Sequence, residues 1–324
     1  MTAAVAETVA QSAELAPLLQ RLDQVLQQLA LWLPPLPAPV RWDGAIAFRW
    51  RKLGGRGVLQ PVAHPHQIRA ADLLGVDRQR RLIDDNTRQY VEGRSANNVL
   101  LTGARGTGKS SLVKAMLHKY HRQGLRLIEV DKSDLVDLTE IADLLAGRPE
   151  RFIVFCDDLS FEASDPGYKA LKVILDGSIA SASENLLVYA TSNRRHLMPE
   201  TMSENLETKY VGEEIHPGET TEEKVSLSER FGLWVSFYPF DQDEYLAIVQ
   251  HWLSQLGLSS AQMAEAHQPA LQWALLRGSR SGRIAWQFAR DWAGRHGTAM
   301  SGTPARKSGT KSARGATRAA KARR

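Results

Sequence analysis

Residues 103–110 read Gly103-Ala104-Arg105-Gly106-Thr107-Gly108-Lys109-Ser110. The spacing is G-x-x-x-x-G-K-[ST], the pattern of a loop that cradles phosphates. Its glycines let the backbone turn so that N–H groups converge on an anion. A helix that follows adds the positive end of its dipole. In such a loop the backbone from Gly103 to Ser111 holds the phosphates, Lys109 reaches the β- and γ-phosphates, and the Ser110 hydroxyl ligates Mg²⁺. The flanks fit this reading. Asn98-Val99-Leu100-Leu101-Thr102 is a short apolar strand, and Ser111 to Arg122 alternates apolar and basic residues at helical spacing.

Two more groups have the right types to act on a bound triphosphate. Phe152-Ile153-Val154-Phe155-Cys156 is an apolar strand that ends in Asp157-Asp158. An acid at a strand tip about 50 residues after a phosphate loop is placed to hold Mg²⁺, directly or through water. Asp157 is assigned to the metal and Asp158 to polarising the attacking water, with Glu162 as the other candidate for that role. Leu187-Val188-Tyr189-Ala190 leads into Thr191-Ser192-Asn193. Asn193 can orient water beside the γ-phosphate without adding charge, and Arg194, Arg195 and His196 add positive potential.

These groups need a scaffold that brings strand tips together. From residue 70 onward the pattern alternates. Strands are expected at Asn98–Thr102, Leu125–Val130, Phe152–Cys156, Leu186–Ala190 and Leu233–Phe237, with helices at Lys109–Arg122, Ser133–Ala146 and Gly167–Ser181. Such alternation predicts an α/β fold: a parallel five-stranded sheet in a three-layer arrangement, with ligands at the carboxyl ends of the strands. After Pro239 the chain turns helical, at Asp241–Leu256, Ser260–Leu276 and Arg280–Gly294, which reads as a small helical lid.

The amino-terminal part is different. Leu15, Leu18, Leu22, Val25, Leu29 and Trp32 follow the seam of a helix that packs on another helix, expected here to dock on its own chain. Pro34-Pro35 stops it. Arg41 to Arg56 interleaves Trp42, Phe48 and Trp50 with basic residues, and Asp43-Gly44 could turn a hairpin. This reads as a packed strand with a solvated face, in preference to a nucleic-acid surface. The expected units are 1–66 (helix, proline linker, basic and aromatic segment), 67–240 (nucleotide-binding domain), 241–295 (lid) and 296–324 (a disordered basic tail).

Bulk properties set the compartment and the partners. The 324-residue chain is 43% hydrophobic and has one cysteine, Cys156, so no intramolecular disulfide can form. The first ten residues lack a basic region, and four prolines break the most apolar stretch, Leu29 to Val40. A cytoplasmic protein without a membrane span is expected. The net charge is +5, but residues 301–324 hold eight Lys or Arg and no acid, so the other 300 residues sum to 5 − 8 = −3. The tail is a candidate contact for nucleic acid or another polyanion. His64, His66, His118 and His121 lack further ligands at zinc spacing and read as surface histidines.

The combination of phosphate loop, strand-end acids, polar sensor residue and helical lid resembles the AAA+ ATPases over residues 70–295. The wording is similar to a bacterial family of predicted AAA+ ATPases once catalogued as a domain of unknown function. The matching segments are Leu73-Leu74-Gly75-Val76-Asp77-Arg78-Gln79, Asn97 to Gly103, Phe155-Cys156-Asp157-Asp158-Leu159-Ser160-Phe161-Glu162, Tyr189 to Leu197, and Leu227-Ser228-Glu229-Arg230-Phe231-Gly232. The resemblance implies roles by position. Arg230 matches the arginine finger that enters a neighbour's site. Arg283 matches the second sensor arginine, with Arg280 as the alternative, and Leu73–Asp77 matches the segment lining the adenine pocket. It also implies ATP and Mg²⁺ as cofactors, an ATP-dependent homo-oligomer, and a protein partner it does not name. One departure matters: the strand tip is Asp-Asp where most such motors carry Asp-Glu. That leans the reading toward an ATPase acting as an assembly switch or remodeller. The alternative is a nucleotide-gated DNA- or RNA-binding protein with slow hydrolysis, similar to initiators and helicase loaders.

Overall fold

The computed structural model describes residues 17, 20–28, 40–161, 165–176, 185–193, 209–211, 214–216 and 229–296. The strands are β1 (Ala47–Leu53), β2 (Arg56–Pro61), β3 (Val99–Gly103), β4 (Leu125–Glu129), β5 (Arg151–Cys156), β6 (Leu186–Ser192), β7 (Lys209–Val211), β8 (Glu214–His216) and β9 (Leu233–Phe237). Seven of them form one sheet in the order β2-β1-β4-β5-β6-β3-β9, and β7 and β8 pair separately. The helices are α1 (Asp77–Val91), α2 (Lys109–Tyr120), α3 (Leu138–Leu145), α4 (Pro166–Asp176), α5 (Gln242–Gln255), α6 (Ser260–Glu265), α7 (His267–Leu276) and α8 (Gly282–His296). Among the described residues no helix is long and apolar enough to cross a membrane.

The five strands expected from the sequence run parallel as β4-β5-β6-β3-β9; β3, β5 and β6 are buried on both faces, while β9 is the edge strand and exposes Trp234 and Ser236. Alternation divides their side chains between two cores. Val99, Leu101, Leu127, Ile153, Phe155, Tyr189 and Val235 pack toward α1, α2, α5 and α8. Leu100, Ile128, Phe152, Val154, Cys156 and Val188 pack toward α3 and α4. This is the three-layer arrangement. Burial pushes the Cys156 thiol up to about 12, so it packs as an apolar group. On the first face the Tyr189 hydroxyl accepts from Asn86 at 3.0 Å and meets the Thr87 hydroxyl at 2.9 Å, which pins α1 to β6. Asp241 caps α5: its carboxylate accepts from the Glu244 N–H while Glu244 accepts from the Asp241 N–H, and this box starts the helical unit just past the sheet.

The strand count is corrected from five to seven. The extra pair is the hairpin of β1 and β2, with β1 added parallel to β4 at one edge. The chain does not reverse at Asp43-Gly44, which lies in a single 3₁₀ turn before β1. It reverses at Gly54-Gly55, where both residues have positive φ (57° and 79°), as a two-residue primed turn requires. Trp50 is fully buried, lies across Gly57, and donates from Nε1 to Asp137 at 2.9 Å. On the other side of β1 Arg49 pairs with Glu129 at 2.6 Å and Arg51 with Asp131, while Lys52, on the same side as Trp50, pairs with Asp137 at 3.0 Å. The basic face of the segment is therefore largely neutralised internally.

Residues 20–28 are helical, and Leu22, Val25 and Leu26 are exposed, so these residues do not form the expected docking on the chain's own body. The rest of that seam, the basic tail, Glu162, and Arg194 to His196 lie outside the described residues.

Candidate functional site

The glycine loop of residues 103–110 joins the carboxyl end of β3 to the start of α2. Gly103 has φ 125°, and a Cβ there would lie 1.9 Å from the Phe237 carbonyl oxygen, so no side chain fits. Gly106 has φ 75°, and its Cβ would meet Ser281 Oγ at 2.8 Å. Thr107 braces the turn by donating to the Ala104 carbonyl at 2.9 Å. Lys109 opens α2, and its Nζ folds back over the loop. It donates to the carbonyls of Gly103 at 2.7 Å and Ala104 at 2.8 Å, and to Asn193 Oδ1 at 3.1 Å. Burial pushes its ammonium below the usual lysine range. Asp157 and Asp158 oppose that shift, and Arg105 and Arg283 add to it.

β5 and β6 run parallel to β3, so their carboxyl ends meet the loop. Asp157 Oδ1 accepts from Ser110 Oγ at 2.6 Å. Asp158 has φ 54°, which Asp tolerates better than most residues. Its Oδ1 accepts from Asn193 Nδ2, and its Oδ2 lies 3.9 Å from Arg105 Nη2. Lys109, Ser110, Asp157, Asp158, Asn193 and Arg105 thus converge on one spot.

One residue in this network escapes a reading of the sequence. Thr191 is 1% exposed. Its hydroxyl donates to Asp157 Oδ1 at 2.6 Å and accepts from the Asp158 N–H at 2.9 Å, while its carbonyl accepts from the Leu159 N–H at 2.7 Å. It shapes the turn that carries both acids. The only signal in the sequence is its register: on β6, two residues before Asn193, which follows the strand directly. Thr191→Val keeps the shape and removes the hydroxyl. It is expected to cost about 1–2 kcal/mol in urea unfolding, while Thr191→Ser loses well under half of that. Equal stability of Thr191→Val and wild type would mean the hydroxyl contributes nothing.

The helical unit closes over the loop. Besides the approach of Ser281 to Gly106, the Gly106 Cβ position lies 3.3 Å from Arg283 Cβ, so Arg283 is brought to the loop. Leu73 lies 3.8 Å from the Gly108 Cβ position, and Gly75 packs under the Phe240 ring, so the Leu73–Asp77 segment borders the same site. Arg230 is elsewhere. It precedes β9 and pairs with Asp176 at the end of α4.

The residues present suit a nucleotide with Mg²⁺. Ser110 Oγ and Asp157 Oδ1 are hard oxygen donors in contact, and Lys109, Arg105 and Arg283 surround the loop. Among the described residues no group of three or more His, Cys, Asp or Glu could hold a metal ion. A cation at Ser110 and Asp157 would therefore complete its shell with phosphate oxygens and water.

Comparison with solved structures finds weak likenesses. A chain of the Escherichia coli MS115-1 HORMA:CdnC:Trip13 complex is 14% identical with a TM-score of 0.41, over 68% of this chain and 89% of that one. A proline-to-glycine variant of Thermotoga maritima RuvB is 16% identical with a TM-score of 0.46, over 68% of this chain and 64% of that one. A lysine-to-arginine variant of the same RuvB is 15% identical with a TM-score of 0.43, over 68% and 63%. The match thus spans under two thirds of these two RuvB chains. Comparison with curated proteins gives no match. A family model does match, over residues 43–296, from the hairpin to the end of α8. The chain belongs to that family, described as "Protein of unknown function (DUF815)".

Proposed function

We propose that the protein is an AAA+ ATPase that hydrolyses ATP with Mg²⁺ and uses the nucleotide to control assembly with further copies of itself and with a partner. The convergence of Lys109, Ser110, Asp157, Asp158 and Asn193 at the carboxyl ends of three strands carries this reading. The loop backbone binds the phosphates, and Lys109 leaves its carbonyl partners for them. Ser110 and Asp157 hold the cation, which when bound neutralises phosphate charge. Asp158 accepts the proton of the attacking water, and Asn193 fixes the orientation of both Asp158 and Lys109. Arg283 closes the lid over the nucleotide.

Topology supports a role in trans for Arg230. The register Val99↔Leu233 to Gly103↔Phe237 sets β9 along β3, and Arg230 lies three residues before Leu233. At about 3.3 Å per residue, four residues of strand alone separate that end from Gly103 by ~13 Å. Arg230 therefore stands at the opposite end of the strand from its own loop, which supports contact with a nucleotide held by another subunit.

The test is a mixing experiment. Arg230→Ala is expected to bind ATP and fail to hydrolyse it, and Lys109→Ala is expected to fail at binding. Together they should regain part of the activity, because the Lys109→Ala subunit lends its finger to the intact loop of its neighbour. Full ATPase activity of Arg230→Ala, or concentration-independent ATPase in a strictly monomeric protein, would overturn the assembly reading. The nucleic-acid alternative draws on the basic tail. Arg49, Arg51 and Lys52 add little to it, since acids of this chain already hold them. Stimulation of the ATPase by duplex DNA in the same assay would favour it.

A further inference from the structure

The loop pattern leaves position 105 free to be any residue, and here it is arginine. Arg105 sits on the turn between Gly103 and Gly106, and its side chain is 77% exposed. It does not simply extend into solvent. Its Nη2 reaches to 3.9 Å from Asp158 Oδ2. The other oxygen of that carboxylate accepts from Asn193, and the Asn193 carbonyl in turn accepts from Lys109 Nζ at 3.1 Å. A line of polar groups, Lys109–Asn193–Asp158–Arg105, therefore runs across the mouth of the loop with a cation at each end. Any terminal phosphate held by Lys109 enters beside this line.

The two ends are not equally fixed. Lys109 is 5% exposed and has three acceptors. The ion pair of Arg105 with Asp158 is long and solvated on both sides, so it is weak and easily exchanged. A phosphate offers the same guanidinium a paired set of anionic oxygens, which it binds more strongly than a single distant carboxylate oxygen.

We infer that Arg105 is a switch cation that reads the terminal phosphate. Without nucleotide, or with a diphosphate, it stays on Asp158 and occupies the carboxylate assigned to the attacking water. With a triphosphate it moves to the γ-phosphate, which leaves Asp158 free to act as base. The chain then distinguishes ATP from ADP through its own loop, before any neighbour supplies an arginine. This rests on the ATPase reading above and adds a second positive charge, in cis, to the one expected from Arg230.

The experiment is calorimetric titration with two probes, Mg·ADP and the Mg complex of a non-hydrolysable β,γ-imido ATP analogue. Arg105→Ala is expected to weaken the analogue about ten- to a hundredfold and to leave ADP within about twofold, because only the analogue carries the phosphate that Arg105 reads. Arg105→Lys should keep part of the difference, since an ammonium retains the charge without the fork. Asp158→Asn, which removes the competing partner, should tighten the analogue in the wild-type background and not in the Arg105→Ala background. Equal losses for both probes, or no loss for either, would overturn the assignment of the γ-phosphate to Arg105. Additive effects of Asp158→Asn and Arg105→Ala would overturn the exchange between the two partners. Wild-type protein that binds neither probe would defeat the ATPase reading and this inference together, whereas wild type that binds both beside an unselective Arg105→Ala defeats this inference alone.

Discussion

Lys109→Ala is expected to abolish tight binding of ATP. Lys109 is the buried cation of the loop, and its Nζ already sits over the Gly103 and Ala104 carbonyls, at the mouth where β3 ends. A phosphate arriving on the loop's N–H groups exchanges for those carbonyls. The ammonium is partly stripped of water in the folded state, as its lowered pKa reflects, so it loses little hydration when the phosphate arrives. Two charge-assisted contacts, to the β- and γ-phosphates, correspond to a loss of about 10²–10⁴ in affinity. Titration with a fluorescent ATP analogue measures it. Thermal unfolding without nucleotide checks that the variant is folded, because Lys109 also bridges the loop to Asn193. A folded variant with unchanged affinity would remove the phosphate-loop assignment.

Asp158→Asn should separate binding from turnover. Asn is the same size as Asp and tolerates the left-handed backbone that Asp158 adopts at φ 54°. The N–H of residue 158 keeps its bond to Thr191, so the turn survives. What is lost is the carboxylate proposed to take the proton of the attacking water. Steady-state turnover is expected to fall by ~10²–10⁴ while nucleotide affinity stays close to wild type or rises. Glu162, the rival base, lies outside the described residues. If Asp158→Asn turns over normally and Glu162→Gln does not, the role belongs to Glu162. If Asp158→Asn loses affinity in step with turnover, Asp158 is holding the site together and is not its base.

The Asp-Asp tip gives that measurement a second use. An aspartate carboxylate sits about 1.5 Å further back than a glutamate carboxylate would, the length of one carbon–carbon bond. Asn193 on one oxygen holds Asp158 in that withdrawn position, with Arg105 3.9 Å from the other. Asp158→Glu, assayed beside Asp158→Asn, tells whether the short side chain limits the rate.

By itself the sequence determined what is local. The loop of residues 103–110 is one contiguous segment, and its glycines, lysine and serine need only the strand before and the helix after, both visible as short runs in the sequence. The inner strands were legible because a parallel strand covered on both faces is apolar at nearly every position, as in Phe152 to Cys156, whereas the edge strand β9 showed itself by alternation, with Val235 and Phe237 buried and Trp234 and Ser236 exposed. Asp157 and Asp158 followed from that strand's end. The tertiary structure decided the pairings, because they join residues far apart in the chain. Whether Arg49 and Arg51 face nucleic acid or acids of the same chain depends on β1 lying beside β4, which sets Glu129 and Asp131 opposite them across 80 residues. No periodicity in Ala47–Leu53 states which strand it will join. Thr191 bridges both acids because β6 ends beside β5, not because threonine there is unusual. Arg283 comes to the loop because α8 begins against Gly106, while Arg230 stands at the far end of β9. A charge shows its type in the sequence, but its partner is fixed only by the order of the strands and the way the helices close on them.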